Sequence, residues 1–297
     1  MLQIFMGAIS LGLLWAIATI GVYITYRILE IADLTVEGSI VMGAAITASA
    51  IVRGINPYLS IGMAFAGGLL AGLVTGLLHT KLKIPSLLSG ILTMIALYSI
   101  NLRIMGKANI SLLRMHTVYS AFENLGLNHN GAVAILGIIF VGCIIGTLYW
   151  FFGTEIGCAI RATGDNPQMV RAQGINTNTT IILGLMISNG LVAVAGALIA
   201  QSQSFADVQM GIGSIVIGLA SVIIGEVLFG KRNFFSRLVS LVLGAITYRI
   251  IIALVLKLGM PANDLKLFTA ITVAIALALP VFRSYLKPIK KSVKKAK

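Results

Sequence analysis

Two short stretches decide the fold: residues 38–45 read GSIVMGAA, and residues 213–220 read GSIVIGLA. Six of the eight positions are identical, and each stretch follows an Ala-Asp pair that ends at Asp33 or at Asp207. Each stretch also belongs to a separate half of the chain. Repeats of opposite orientation with short, glycine-interrupted helices are typical of one class of polytopic membrane proteins. A chance match is the alternative, because Gly, Ile, Val and Ala are common in this chain.

The composition places most of the surface of this chain in lipid. The 297 residues are 58% hydrophobic and only 10% charged, whereas a soluble globular protein carries about 25% charged residues. The net charge of +13 does not indicate nucleic-acid binding, because seven of the 22 basic residues lie in the last fifteen positions. Others lie at the ends of apolar runs, as the positive-inside rule expects. We therefore predict an all-α polytopic membrane protein in contact with lipid and not with nucleic acid.

Apolar runs of about 20 residues are long enough to cross a bilayer as helices. We predict about nine, with eight or ten as alternatives if a segment is re-entrant or split: 3–28, 36–52, 57–79, 85–105, 131–152, 179–201, 212–229, 238–256 and 264–282. The first run lacks the basic region of a signal peptide, so we expect it to be retained. The chain then forms one membrane domain, residues 1–297, with four parts: a first repeat at about 3–152, a loop at 153–178, a second repeat at about 179–282 and a basic tail at 283–297.

The loops between these runs differ in charge. If the tail is cytoplasmic, that side of the membrane holds fifteen lysines and arginines and the outer side holds six. Positive charge is concentrated in cytoplasmic loops. The sequence therefore predicts an outer N-terminus and a cytoplasmic C-terminus.

No motif for catalysis or for a metal is present. GxxxxGK[ST], HExxH and GxSxG are all absent, so this chain carries no P-loop of its own for ATP. His79, His116 and His129 lack the spacing of metal ligands, and Cys143 and Cys158 do not form a disulfide framework. We expect no enzyme activity, no metal and no cofactor in this chain.

The polar segment at residues 153–178 reads GTEIGCAIRATGDNPQMVRAQGINTN. Asn166 and Pro167 are typical of a turn and a helix start, and Gly174 fits a helix C-cap. The segment therefore predicts a short helix from Pro167 to about Ala172. An ordinary connecting loop is the alternative, although structureless connections of this length are uncommon.

The run RATGDNPQMVRAQGIN, residues 161–176, resembles the cytoplasmic loop of the branched-chain amino acid and ribose permeases of ATP-binding cassette (ABC) importers. The run ADLTVEGSIVMGAA, residues 32–45, is similar to an early half-helix of that family. The resemblance covers residues 10 to about 282 and looks closest to the branch linked with tryptophan and tyrosine uptake. One departure is that only four runs follow the loop, where a full five-plus-five repeat would have five.

The resemblance implies the membrane-spanning permease subunit of an ATP-driven importer in the bacterial inner membrane. Its solute would be an aromatic or branched-chain amino acid, with a nucleoside or a sugar left open. The implied partners are a second permease (identical or homologous), two cytoplasmic ABC ATPase subunits that hold ATP and Mg²⁺, and an extracytoplasmic substrate-binding protein. An ion-coupled secondary transporter is the alternative function, since inverted repeats occur there as well.

The resemblance also implies that the polar loop carries a coupling helix, which docks in a groove of the ATPase. A short helix with nearby arginines can engage a partner by buried apolar contact and charge pairing. The candidate coupling residues are Arg161, Asp165, Asn166, Arg171, Gly174 and Ile175.

Polar residues inside apolar runs are candidates for a substrate pathway, because such residues usually face the bundle interior or water. Arg249 could contact a substrate carboxylate, form a structural pair with Glu37, Asp33 or Asp207, or snorkel outward to the membrane surface. Glu37 opens the first repeat copy, and we expect it to cap that short helix, since acidic residues favour helix N-termini. The other candidates are Ser39, Ser89, Thr93, Asn189, Ser214 and Tyr248.

Gly68, Gly72 and Gly76 form a GxxxGxxxG run in the third apolar segment. Such runs allow two helices to approach closely. The sequence leaves open whether the partner helix belongs to the same chain or to a second copy.

Overall fold

The computed structural model describes residues 2–230 and 233–257, together with five isolated helical positions between 267 and 278. Within that part of the chain, seven helices are long and apolar enough to cross a membrane, and an eighth apolar helix is shorter. The all-α polytopic fold is therefore confirmed. The predicted ninth span at 264–282 and the basic tail lie almost wholly outside the described residues, so the count of nine stays a prediction.

Eleven helices and two short strands are present in the described residues. The helices are α1 Leu2–Tyr23, α2 Thr35–Val52, α3 Pro57–Thr80, α4 Ser86–Met105, α5 Ser120–Glu123, α6 His129–Phe151, α7 Glu155–Asp165, α8 Pro167–Ala172, α9 Thr177–Gln203, α10 Ser214–Phe229 and α11 Phe234–Lys257. A π-helical turn, Ile24–Ile28, continues α1. The strands, β1 Asn109–Ser111 and β2 Phe205–Asp207, pair antiparallel.

Helix α9 lies at the centre of the bundle and packs against α1, α2 and α3. A β-carbon at Gly43 of α2 would overlap the carbonyl group of Ala193, and one at Gly196 would overlap the carbonyl group of Ile40. The backbones of α2 and α9 therefore meet directly, which only glycine at these positions allows.

The GxxxGxxxG run serves packing within one chain. A β-carbon at Gly68 would overlap the carbonyl oxygen of Asn189, and one at Gly72 would overlap that of Leu185. Both contacts join α3 to α9. For Gly68 and Gly72, the partner helix therefore belongs to the same chain and not to a second copy.

Helices α2 and α10, which contain the two repeat copies, run in opposite directions. The π-helical turn after α1 contacts α7, where a β-carbon at Gly164 would overlap the carbonyl oxygen of Ile28. Helix α2 leads away from this end, and Ile51 near its C-terminus packs in the cluster that contains both strands. Helix α10 leads back, because Glu226 near its C-terminus forms an ion pair with Arg27 of the π-helical turn at 3.1 Å.

Candidate coupling helix and substrate pathway

Helix α8 begins and ends on local signals. The Asn166 side chain accepts a hydrogen bond from the Met169 backbone N–H at 3.0 Å, and Pro167 occupies the first helical position. Two residues beyond its C-terminus, Gly174 adopts a φ of 82°, which favours glycine because a β-carbon would be strained there. Helix α8 therefore occupies the predicted range, Pro167–Ala172.

Helix α8 and the turn that follows it combine one buried anchor with exposed apolar side chains. Val170 is fully buried, whereas Met169 and Ile175 are 45% and 36% exposed. The Arg171 Nε group donates a hydrogen bond to Thr177 Oγ1 at 2.7 Å, which holds this side chain against the start of α9. The helix therefore offers a small apolar surface that a partner protein can cover.

Helix α7 connects α8 rigidly to the bundle. Thr163 and Thr180 join α7 to α9 through their hydroxyl groups, 2.8 Å apart. The Arg161 guanidinium lies over the Phe234 ring of α11, 5.2 Å from its centre. Arg161 and Arg171 are therefore held by different helices, while Asp165 is exposed at the end of α7.

A buried polar network joins the segment before α2 to α9. Asn189 Nδ2 donates to Asp33 Oδ2 at 2.7 Å, and Asn189 Oδ1 accepts from Ser39 Oγ at 2.7 Å. Asp33 Oδ1 accepts from the Thr35 backbone N–H at 2.9 Å and so serves the N-terminus of α2. Burial raises the pKa of the Asp33 carboxyl, while the hydrogen bonds from Thr35 and Asn189 act in the opposite direction.

Glu37 accepts a hydrogen bond at the N-terminus of α10 and not at that of its own helix, α2. Its Oε1 atom accepts a hydrogen bond from the backbone N–H of Gly213, the residue before α10, at 2.9 Å. The expectation that Glu37 caps α2 is wrong, because Asp33 already occupies that N-terminus. The segment before α10 lies directly on α2, where a β-carbon at Gly211 would overlap the Glu37 carbonyl oxygen.

A cavity of about 350 Å³ lies between α2, α4 and the segment before α10. Asn101 is 1% exposed, and its Nδ2 group donates to the Gly38 carbonyl at 3.1 Å. Its Oδ1 atom is buried without a hydrogen-bond partner. The cavity is lined by Glu37, Gly38, Val41, Met94, Ile95, Tyr98, Asn101, Val208 and Ile212.

The remaining candidates on α4 and α10 do not line this cavity. Ser89 and Thr93 are buried and bond back to carbonyls of α4, those of Ser86 and Ser89. Ser214 Oγ is buried and has no hydrogen-bond partner within the described residues. Of the predicted pathway residues, only Glu37 lies at the cavity, and Ser39 and Asn189 belong to the network beside it.

Arg249 packs on an aromatic ring. Its guanidinium lies 4.5 Å from the centre of the Trp15 ring of α1, and its Nε atom is buried without a hydrogen-bond partner. No ion pair joins it to an acidic residue in the part of the chain that the structure describes. The alternative of a structural pair is therefore wrong for Glu37, Asp33 and Asp207. The neighbouring Tyr248 hydroxyl is likewise buried and unpartnered there.

Residues that the sequence-based argument missed form one stripe of α4. Met94, Tyr98 and Asn101 follow a spacing of four and then three residues, which places them on one face of a helix. An asparagine in an apolar run with an aromatic residue three positions before it was the available signal.

The chain matches the permease component of branched-chain amino acid transport systems over residues 4–279. It belongs to this family. The permease is 46% identical to the tyrosine transport system permease protein of Clostridioides difficile, over 90% of this chain and 88% of that protein. It is 27% identical to a probable branched-chain amino acid transport permease, LivH, of Methanocaldococcus jannaschii, over 78% and 75% of the two chains.

One solved structure shares the fold of the permease. It is PsaBC from Streptococcus pneumoniae in complex with Fab, which aligns with a TM-score of 0.50 and 16% identity over 92% of this chain and 89% of that chain. The family match and the 46% identical relative show that the permease is a subunit of an ABC transporter in the bacterial inner membrane, and not an enzyme. It works with ATPase and substrate-binding components.

Proposed function

We propose that this permease imports an aromatic amino acid, with tyrosine as the first candidate. The supporting observation is its 46% identity to the tyrosine transport system permease of Clostridioides difficile over 90% of its length. More distant relatives carry other solutes, such as the ribose import permease of Escherichia coli at 25% identity. Sugars, branched-chain amino acids and nucleosides are therefore the competing substrates.

In this proposal α8 is the coupling helix. Met169 and Ile175 provide apolar side chains for a groove of the ATPase, and Arg171 lies beside them. The ATP and Mg²⁺ belong to the two ATPase subunits. Closure of those subunits would displace α8 together with α7.

A continuous set of contacts leads from α8 to the cavity. Helix α7 bonds to α9 through Thr163 and Thr180. Asn189 of α9 bonds to Ser39 of α2, and Glu37 of α2 bonds to Gly213 before α10. A movement of α8 would therefore reach both short helices through packed or hydrogen-bonded groups.

We further propose that two copies of the permease form the pathway, as a homodimer. The outward faces of α3 and α4 carry large exposed apolar residues such as Leu70, Val74 and Leu88. These faces can contact lipid or a second copy. The N-terminus would lie outside and α8 would lie in the cytoplasm.

Reconstitution tests the proposed function directly. The permease, its ATPase and its substrate-binding protein are placed in proteoliposomes, and uptake of labelled tyrosine, leucine and ribose is compared. We expect uptake of tyrosine that requires ATP and both partner proteins. Uptake driven by an ion gradient without the ATPase would contradict the ABC mechanism, and preferential uptake of ribose or leucine would contradict the substrate.

A further inference from the structure

The cavity beside α2 is unusual in the polar groups that it offers. Helix N-termini near the middle of a transporter often bind anionic groups of a substrate through free backbone N–H groups. Here carboxylates of the chain already accept hydrogen bonds at both N-termini. The Asp33 carboxylate accepts from Thr35 N–H at the start of α2, and the Glu37 carboxylate accepts from Gly213 N–H at the start of α10. The Thr35 and Gly213 N–H groups are therefore not free to bind a carboxylate of the solute.

Among the described residues that line the cavity, Glu37 is the one charged residue. Glu37 contributes a carboxylate of which one oxygen bonds to Gly213. The Asn101 amide orientation is fixed, because its Nδ2 group donates to the Gly38 carbonyl and a carbonyl can only accept. Its Oδ1 atom is therefore the free group, and it is buried without a partner. The Oδ1 atom has almost no exposed surface, so Glu37 supplies the acidic group at the cavity wall.

The walls of the cavity complete this pattern. None of the described lining residues is Lys, Arg or His, and Val41, Met94 and Ile95 provide apolar surface. The Tyr98 ring can face a cation, since aromatic faces attract positive charge. The volume of about 350 Å³ lies within the range of about 300–1,000 Å³ that is typical of small-molecule sites.

We propose that this cavity binds the ammonium group of the transported amino acid. Glu37 supplies the opposite charge, while the apolar wall receives the side chain of the solute. The inference rests on the proposed function, because it names the part of an amino acid that the permease itself recognises. A sugar or another uncharged solute would form no ion pair with the Glu37 carboxylate.

Cysteine chemistry tests the charge preference of the cavity. In a background with Cys143→Ser and Cys158→Ser, Ile95→Cys places a thiol in the cavity wall of the permease–ATPase complex in proteoliposomes. Leu92→Cys is the matched control, because Leu92 is also exposed on α4 and does not line the cavity. A cationic aminoethyl thiosulfonate and an anionic sulfonatoethyl thiosulfonate are compared by their rates of labelling.

We expect the cationic reagent to label Ile95→Cys about tenfold faster than the anionic one, after correction for their rates with a free thiol. Glu37→Gln should remove this preference, and glutamine can still accept the hydrogen bond from Gly213. Leu92→Cys should show no preference. Equal corrected rates at Ile95→Cys, or a preference that survives Glu37→Gln, would overturn the inference.

Protection by small solutes identifies the group that is bound. Tyramine, which keeps the ammonium group and lacks the carboxylate, should slow labelling of Ile95→Cys. The deaminated analogue 3-(4-hydroxyphenyl)propionate should not. Protection by the deaminated analogue alone, or by neither compound, would overturn the inference even if tyrosine is imported. Protection by tyramine in a permease that imports no tyrosine would instead contradict the proposed function.

Discussion

At the residue scale, Asn189 of α9 connects two other parts of the bundle through hydrogen bonds of its side chain. Its amide group bonds to Asp33 and to Ser39, which are both fully buried or nearly so. Leucine has a similar volume and no polar atoms. We expect Asn189→Leu to lower the free energy of unfolding by about 3 kcal/mol, because two buried polar groups lose a partner.

The thermal midpoint of the detergent-solubilised permease measures this effect. Ser39→Ala, which removes one hydroxyl group, should give a smaller decrease. Thr147→Ala is the matched control, since Thr147 is exposed and bonds only to its own helix. Equal midpoints for Asn189→Leu and Thr147→Ala would show that the network contributes nothing.

Arg249 provides a second prediction at this scale. Because it contacts Trp15 and pairs with no described acidic residue, we expect Arg249→Ala to reduce solute uptake while the complex with the ATPase still assembles. Uptake and co-purification are measured on the same preparation. Loss of assembly in Arg249→Ala would indicate a structural role instead.

The predictability of single residues depends on how far away their partners lie. Asn166 and Gly174 act on backbone groups within a few residues, so the sequence alone placed α8 correctly. Glu37 bonds to a residue 176 positions away, and nothing local distinguishes that partner from the N-terminus of α2. For the same reason the sequence could not show that Arg249 faces Trp15.

At the scale of elements, α8 is the contact expected for the ATPase. Met169→Glu places a charge in its exposed apolar surface, and burying that charge is costly. We expect the affinity for the ATPase to fall at least tenfold, which corresponds to about 1.4 kcal/mol. Co-purification and ATP-dependent uptake measure the loss.

Gln168→Glu is the control for this substitution, because it adds the same charge to the same helix at an exposed polar position. Its affinity for the ATPase should stay close to that of the unmodified permease. If both variants bind the ATPase equally well, α8 does not dock through its apolar side chains.

The crossing of α2 and α9 allows a test of packing. Gly43→Val would force the two backbones apart, and we expect a loss of about 3 kcal/mol in the free energy of unfolding. Gly142→Val is the matched control, because a β-carbon at Gly142 meets no atom within 4 Å. Folded yield and the thermal midpoint measure both variants, and similar values for the two would contradict the close approach.

The ends of helices that coincide with long apolar runs were predictable to within about four residues. The run at 36–52 became α2, Thr35–Val52, and the run at 57–79 became α3, Pro57–Thr80. The strands were not predicted, since Ile110 pairs with Ala206 from a distant part of the chain. The π-helical turn after α1 also escaped prediction, because hydrophobic periodicity does not distinguish one helical turn from another.

At the scale of the whole molecule, the orientation in the membrane can be measured. In the background without native cysteines, Gln168→Cys lies on α8 and Asn124→Cys lies next to α5, near the opposite end of the bundle. We expect an impermeant thiol reagent added to intact cells to label Asn124→Cys and not Gln168→Cys. Labelling of Gln168→Cys from outside would reverse the predicted orientation.

The bond between Glu37 and Gly213 has a consequence for how the protein is made. A ribosome adds about 5–20 residues per second, so the 176 positions between these residues take roughly 9 to 35 seconds to synthesise. During that interval Glu37, in the first half of the chain, has no hydrogen-bond partner at Gly213, because Gly213 has not yet been synthesised. The bond between Glu37 and Gly213 can therefore form only after the start of α10 has been synthesised, so the second half of the chain completes a contact of the first half.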